Sequence, residues 1–197
     1  MASDSKNRMI RSAYALFRER GYSGTGFREI NAHSGVARGA INHHFPGGKN
    51  ELAEDVIRLA GNEVGVALEA VAQRADAVST LEAFVTGWIH HVREHDFDAG
   101  CSIAAIVGES QHGAPQLADA AAEAFGSWRA ILAASLRRGG ASPARARRLA
   151  TLAVAGVEGG VMLCRAERST RPLEEVAREL RATFENAITL RSTPNCT

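Results

Sequence analysis

Apolar residues along this chain recur at intervals of three and four positions, which is the spacing of amphipathic helices. Ile10, Ala13, Tyr14 and Phe17 form the first such stripe, which ends at Gly21. The sequence contains no alternating run of β-branched or aromatic residues of the kind that strands require. The pattern therefore predicts an all-α fold.

Glycine and proline divide this pattern into about nine helices. Two short runs, at residues 27–32 and 37–45, precede a break at residues 46–48. A helix of roughly 25 residues is then predicted from Lys49. The later helices are predicted over about residues 81–95, 101–110, 115–138, 143–164 and 172–188. Because helix length and charge both change here, we place a domain boundary between residues 48 and 49, giving domains 1–48 and 49–197.

The distribution of charge separates the N-terminal end from the rest of the chain. Residues 1–50 contain eight lysines and arginines against three acidic residues, a net charge of +5. The remaining residues sum to −4, which brings the whole chain to +1. A cationic end on an otherwise balanced chain predicts an anionic partner for that end.

The same N-terminal region has the pattern of a helix-turn-helix. Gly35 lies between the two short runs, where a tight connection requires the positive φ that glycine adopts without strain. The apolar positions pack the two helices together and leave Arg38, Gly39, Asn42 and His43 facing outward. An arginine can bond a guanine edge, and a glycine permits close approach of the backbone to the groove floor. The pattern favours DNA binding; a structural three-helix unit with a basic face is the alternative.

Two residues at predicted helix starts are candidate phosphate contacts. Thr25 is expected to begin the first short helix, where its hydroxyl and nearby backbone N–H groups could hold a phosphate. Lys49 is expected to begin the long helix, where its ammonium adds to the positive end of the helix dipole. Phosphate contacts on both sides of a reading helix are typical of a DNA-binding unit.

These residues belong to a run that resembles the signature of TetR/AcrR one-component transcriptional regulators. The resemblance is close over about residues 8–60, and the segments 46–49, 100–101 and 157–160 resemble the LmrA/YxaF-like subgroup. The positions that carry the main signature are residues 13–22, Thr25, Ile30, residues 35–45, Lys49 and Leu52.

The resemblance implies a nine-helix homodimer whose three N-terminal helices bind DNA and whose C-terminal helices bind a ligand and dimerise. It assigns base contacts to Ala37, Arg38 and Gly39, and phosphate contacts to Thr25, Asn42, His43 and Lys49. The expected function is a ligand-responsive repressor on a pseudo-palindromic double-stranded operator, released by a small-molecule effector. A small-molecule carrier without DNA binding is a further alternative, against which the cationic N-terminal end argues.

Large apolar side chains in the C-terminal part are candidates for an effector pocket, and the protein core is the alternative for each of them. The apolar candidates are Phe84, Trp88, Phe125, Trp128 and Met162, and the two polar candidates are His91 and Cys101. A pocket lined by these side chains would accept a largely apolar effector.

Glycines within the predicted helix at residues 143–164 indicate close packing against another helix. Gly156, Gly159 and Gly160 each cost that helix about 1 kcal/mol relative to alanine, and a close helix–helix approach would offset this cost. We place that approach at a homodimer interface, with Leu180 and Phe184 of the last helix beside it. The alternative is tight packing inside one chain.

The sequence also contains H-x-x-E-H, the inverted form of a zinc-protease signature. A metal-dependent hydrolase using His91, Glu94 and His95 is therefore the alternative function. A regulatory metal site formed by His91 and His95, with His112 or Cys101 as a further ligand, is another alternative. Because no third ligand or cleft is evident, we favour a solvated helix end whose histidines interact well with the dipole. Neither a metal nor a cofactor is expected.

The three cysteines, Cys101, Cys164 and Cys196, are widely spaced and form no C-x-x-C pair. Neither a disulfide framework nor a zinc knuckle is therefore predicted.

The first 20 residues lack the apolar core of a signal peptide. The chain has no run of about 18 uninterrupted apolar residues, so no membrane span is predicted. We therefore expect a cytoplasmic protein that does not enter a membrane.

Overall fold

The computed structural model describes residues 2–37, 39–110 and 114–189, and every regular element in these ranges is an α-helix. The described helices are α1 (Ala2–Arg20), α2 (Phe27–Ser34), α3 (Ala40–His44), α4 (Gly48–Ala72), α5 (Ala77–Glu94), α6 (Ser102–Glu109), α7 (Pro115–Arg138), α8 (Pro143–Glu167) and α9 (Arg171–Thr189). The predicted all-α fold of about nine helices is confirmed. Three residues with predicted or candidate roles, Arg38, His112 and Cys196, lie outside the described ranges.

The limits of the two short helices are set by local capping. Gly26 is the N-cap of α2, and its N–H donates to the Glu29 carboxylate at 2.8 Å. This bond is the main cause of the lowered pKa of Glu29. Helix α3 is shorter than the predicted run of residues 37–45, because Gly39 is its N-cap and Phe45 leaves the helical region before Pro46.

The chain divides into two compact units. Unit 1 consists of Met1–Asn62 and Asp98–Ala124, and unit 2 consists of Glu63–Phe97 and Phe125–Thr197. The division falls inside α4 and α7. These units describe compactness and not function, so the domain boundary between residues 48 and 49 stays a prediction.

The core of unit 1 joins the helix-turn-helix to α1. Phe17, Ile30, Ile41 and Phe45 are all buried, as the apolar spacing predicts. Val36, in the turn, is half-buried. Packing of these side chains fixes α3 relative to α2 and leaves its other face to solvent.

Gly35 is the C-cap of α2 and adopts the predicted positive φ, with φ 63° and ψ 21°. We expect Gly35→Ala to lower the free energy of unfolding by about 1–2 kcal/mol, because a Cβ is strained in the left-handed region. Urea denaturation of the purified protein measures this change. Gly39→Ala is the matched control, since Gly39 has φ −74° and a Cβ there meets no heavy atom within 4 Å. An equal decrease in the free energy of unfolding in the two variants would contradict the conformational explanation.

Helix α6 is fastened to the end of α1 within unit 1, which the sequence pattern did not indicate. Before α6, the Gly100 N–H donates to the Arg18 carbonyl at 2.9 Å. At its last residue, the Glu109 carboxylate accepts from the Ser23 N–H at 2.7 Å. Gly21 has φ 78°, and a Cβ there would lie only 2.4 Å from Glu109 Oε1. Glu109, at the end of α6, therefore packs closely against the turn that follows α1.

In unit 2, α8 packs against α9 and α5. By length and composition, α8 is the one helix in the described ranges that could cross a membrane, with a mean hydropathy of 1.4 over its most apolar window. Nine of its residues, including Val157 and Val161, are buried in the fold. A core helix of a folded protein passes the same test, so this composition is weak evidence for a membrane span.

Candidate nucleic-acid interface

The outward face of the helix-turn-helix is formed by α3 and the turn before it. Ala37, Gly39, Asn42 and His43 are all exposed. Open space beside Gly39 allows another molecule to approach the backbone closely. Arg38 belongs to the same segment in sequence but lies outside the described residues, so its base contact stays a prediction.

Thr25 is placed differently from the prediction. It does not begin α2, because Gly26 holds the N-cap position, and its side chain is fully buried. The Thr25 hydroxyl donates to the Gly21 carbonyl at 2.9 Å, and its N–H donates to the Tyr22 carbonyl at 3.3 Å. The predicted helix start is therefore wrong, and both donors proposed for a phosphate are used to hold the α1–α2 turn.

Lys49 is the second residue of α4, close to the predicted position, but its ammonium is directed inward. Its Nζ donates to the Tyr22 carbonyl and lies 4.1 Å from the centroid of the Tyr22 ring. Burial lowers the pKa of Lys49, while the charges of Glu109 and Glu29 act to raise it. A phosphate contact by Lys49 requires this ammonium to leave the turn.

Arg28 is a candidate that the sequence reasoning counted in the net charge but did not assign to DNA. Other cations of this end are paired: Lys6 with Asp55 at 2.8 Å, and Arg20 with Glu29 at 3.2 Å. Arg28 is exposed in the first turn of α2 and has no hydrogen bond or ion pair with any described residue. Its position beside a helix N-terminus is the signal that could have identified it.

Five of the seven predicted effector contacts lie together in unit 2. The ring of Trp128 lies 5.3 Å from that of Phe125, 6.0 Å from that of Phe84 and 6.4 Å from that of Trp88, measured between centroids. The His91 ring lies 5.6 Å from that of Trp88. Trp128 is fully buried and Phe84 nearly so. These side chains form an aromatic core, and contact with an effector stays a prediction for them.

The other two predicted effector contacts do not belong to this aromatic core. Cys101 is buried in unit 1 as the N-cap of α6. Met162 of α8 is 70% exposed, so it is not part of an enclosed pocket wall in this chain.

The close helix approach predicted from the α8 glycines occurs inside the chain. A Cβ at Gly156 would lie 3.2 Å from Val176, and one at Gly160 would lie 2.7 Å from Leu173, both in α9. The two other predicted interface residues, Leu180 and Phe184, are buried in the same unit. Packing on α9 of the same chain therefore accounts for the two glycines, and the homodimer interface assigned to these four positions stays a prediction.

A different face of α8 carries exposed apolar residues. Leu152, Met162 and Leu163 are 51%, 70% and 52% exposed. Ala155 and Gly159, between them on the same side of the helix, are also exposed. We call these five residues the α8 stripe; their spacing of three and four places them along one face.

Two family models match separate parts of this chain. The model described as "Bacterial regulatory proteins, tetR family" matches residues 9–56. The model described as "Transcriptional regulator LmrA/YxaF-like, C-terminal domain" matches residues 77–179. The chain belongs to the TetR family of transcriptional regulators. The subgroup resemblance noted in the sequence is confirmed by the second match.

Individual relatives agree with this family membership. An uncharacterized HTH-type transcriptional regulator of Mycobacterium tuberculosis is 35% identical over 182 residues, covering 89% of this chain and 92% of that protein. LmrA, an HTH-type transcriptional regulator of Bacillus subtilis, is 27% identical, with 88% of this chain and 93% of LmrA covered. A TetR transcriptional regulator from Legionella pneumophila has the same fold, with a TM-score of 0.82, 22% identity, and 90% and 96% coverage.

The family is a class of regulators and not of enzymes, so the hydrolase alternative for H-x-x-E-H is set aside. His91 and Glu94 lie in the last turn of α5 and His95 is its C-cap, where the His95 Nδ1–H donates to the His91 carbonyl at 2.9 Å. The described ranges contain no group of three or more histidine, cysteine or acidic residues placed to hold a metal ion. The bond to the helix's own carbonyl fits the interpretation as a solvated helix end.

Proposed function

We propose that this TetR-family regulator is a cytoplasmic repressor that binds a pseudo-palindromic DNA operator as a homodimer and is released by a small, largely apolar effector. The observation that carries the DNA-binding part is the exposed face of α3, with Asn42 and His43 outward and open space at Gly39. This face belongs to the end of the chain that carries +5. In a two-fold dimer, two such helices would enter successive major grooves about 34–36 Å apart.

In this proposal, base contacts and phosphate contacts come from different residues. Arg38 bonds a base edge, and Ala37 and Gly39 let the backbone approach the groove. Asn42 and His43 contact phosphates from α3, and Arg28 adds a phosphate contact at the start of α2. Lys49 adds a further phosphate contact when its ammonium leaves the Tyr22 carbonyl.

We assign dimerisation to the α8 stripe. Large side chains with more than half of their surface in solvent, placed along one helix face, are what an unpaired interface presents. A two-fold axis beside α8 would pair the stripe with its own copy, so that the same residues are buried on both chains. The glycine positions then serve the packing of α8 on α9 behind the interface.

The effector part of the proposal rests on the aromatic core of unit 2. Phe84, Trp88, Phe125 and Trp128 offer the apolar edges and faces that a flat apolar molecule would contact, with His91 as a polar partner. Effector binding is expected to tilt α4, which starts directly after the reading helix, and to change the separation of the two reading helices. A coupling of about 1–3 kcal/mol would give about 5–150-fold release.

Arg28→Gln should weaken binding to operator and to random DNA by the same factor and lower the salt slope by about one unit, because one phosphate contact is lost. Fluorescence anisotropy across a potassium chloride series measures both. Arg20→Gln is the control, since Arg20 is already paired with Glu29 and is expected to leave the slope unchanged. A normal slope in Arg28→Gln would remove Arg28 from the phosphate contacts.

Lys49→Gln tests whether the inward ammonium moves on binding. If Lys49 leaves the Tyr22 carbonyl to meet a phosphate, the salt slope falls by about one unit on all DNA. An unchanged slope, with a lower midpoint of urea denaturation, would show that Lys49 serves the turn alone.

Selection from a random duplex library tests the proposal as a whole. The full-length protein should enrich a motif with two-fold symmetry, and the enriched duplex should compete against random DNA at least about a thousandfold better. Release of that duplex should then appear on screening apolar aromatic compounds. An absence of any enriched motif would reject operator binding and favour the carrier alternative.

A further inference from the structure

We propose that an open groove between α7 and α8, within unit 2, binds a small amphipathic anion with a carboxylate or phosphate head group. The groove has a volume of about 590 Å³. Its floor consists of small residues of α7, and three arginines stand at its sides. This site is separate from the aromatic core, because none of the predicted effector residues lines it.

The floor of the groove is built for close apolar contact. Gly126, Ala130 and Ala133 follow one another at intervals of four and three on α7, so they share the face that borders the groove. Small side chains at these positions leave depth for an apolar chain. The volume is within the range of about 300–1,000 Å³ that small-molecule sites occupy.

The sides of the groove carry uncompensated positive charge. Arg129, Arg147 and Arg148 line it, and all three are exposed. The guanidinium groups of Arg147 and Arg148 have no hydrogen bond or ion pair within the described part of the chain, and Arg129 donates only to the Phe125 carbonyl. Elsewhere arginines such as Arg58, Arg171 and Arg181 are paired with nearby glutamates.

The chain segment that forms the groove contains no acidic residues. Residues 124–157 contain six arginines and neither an aspartate nor a glutamate. Two of the arginines that line the groove, Arg147 and Arg148, fall within the first six residues of α8, where the helix dipole disfavours positive charge and where no acidic residue is present in the first turn. These arginines destabilise the start of α8, and a bound anion would offset their charge.

Arginine and the apolar floor together define the ligand class. A planar guanidinium pairs with a carboxylate or a phosphate through two parallel hydrogen bonds. A nucleic-acid backbone supplies the anion but has no apolar segment to cover the alanines. A compact molecule with an anionic head and a short alkyl body satisfies both features.

Calorimetric titration of the full-length protein with octanoate, octyl phosphate and octanol tests this assignment. At least one of the two anions should bind with one site per chain, and octanol should bind at least tenfold more weakly than that anion. A stronger response to one head group identifies which anion the arginines prefer. Octanol binding as tightly as the anions would overturn the role of the arginines.

Variants locate the binding site. Arg147→Gln with Arg148→Gln should weaken binding of the anion at least tenfold, and Ala130→Leu, which fills the groove, should do the same without changing charge. The control is Arg137→Gln with Arg145→Gln, which removes two charges from the same acid-free segment outside the groove and should change affinity less than twofold. Circular dichroism and the melting temperature confirm that each variant is folded.

Three outcomes would overturn the proposal. Equal weakening in both double variants would mean that bulk charge attracts the anion. Binding that survives in the groove variants but is lost in Trp88→Ala would place the ligand in the aromatic core. An absence of saturable binding of both anions, with weaker DNA binding by the Arg147 and Arg148 variant, would assign the arginines to DNA.

Discussion

Arg38→Ala is expected to weaken operator binding by about 1–3 kcal/mol, a loss of roughly 5–150-fold, and to relax specificity at one base position. The reason is that a bidentate arginine–guanine contact carries sequence information, whereas most other contacts of this unit go to phosphates. Anisotropy titrations against the operator and against single-base variants at each position measure both effects. The base that Arg38 contacts is the one whose substitution has no further effect in the alanine variant.

Two controls make the Arg38 result decisive. Arg38→Lys keeps the charge but not the two parallel donors, so it should retain binding to random DNA and lose discrimination at the same base. If Arg38→Ala weakens operator and random DNA by the same factor, Arg38 contacts a phosphate and the base assignment is wrong. Loss of helical content in Arg38→Ala would be visible by circular dichroism before any titration.

Met162→Glu is expected to convert the homodimer into monomers at micromolar concentration and to lower operator affinity at least about a hundredfold. Each interface would gain two glutamates, one from each chain, close to the two-fold axis. Burying such charges without partners costs several kcal/mol, and each 1.4 kcal/mol is a factor of ten. Sedimentation equilibrium gives the dimer dissociation constant, and anisotropy gives the operator affinity of the same sample.

The matched control for Met162→Glu is Val66→Glu. Val66 of α4 is also an exposed apolar residue, at 61%, but it lies outside the α8 stripe. It receives the same charge and should leave both the dimer and operator binding unchanged. A monomeric wild-type protein, or a dimer that survives Met162→Glu together with Leu163→Glu, would contradict the assignment of the stripe.

Local physical chemistry explains which features the sequence could predict. Apolar spacing of three and four, with glycine and proline between runs, was enough for the helices. Gly35 could be assigned a left-handed turn because few other residues adopt that conformation. Burial of Ile30, Ile41 and Phe45 followed from their spacing on α2 and α3.

The features that the sequence could not predict depend on partners distant in the chain. Thr25 was a reasonable phosphate ligand until its hydroxyl was seen to be bonded to the Gly21 carbonyl. Lys49 lies near the expected helix start, but only the fold reveals that Tyr22 holds its ammonium. Gly156 and Gly160 indicated a close helix neighbour, yet the pattern cannot tell α9 of the same chain from a second copy.

The unit that contains the helix-turn-helix is discontinuous in the chain, and this affects its synthesis. Its core includes Ile103 and Ile106 of α6, and the turn after α1 is closed by Glu109. A ribosome adding about 5–20 residues per second leaves the first helices without these partners for several seconds. The apolar side chains that will meet α6 are exposed to solvent during that interval, and a chain cut after residue 62 would keep them exposed permanently. The N-terminal DNA-binding end is therefore expected to become stable only after α6 has emerged, and the nascent chain to be a substrate for chaperones until then.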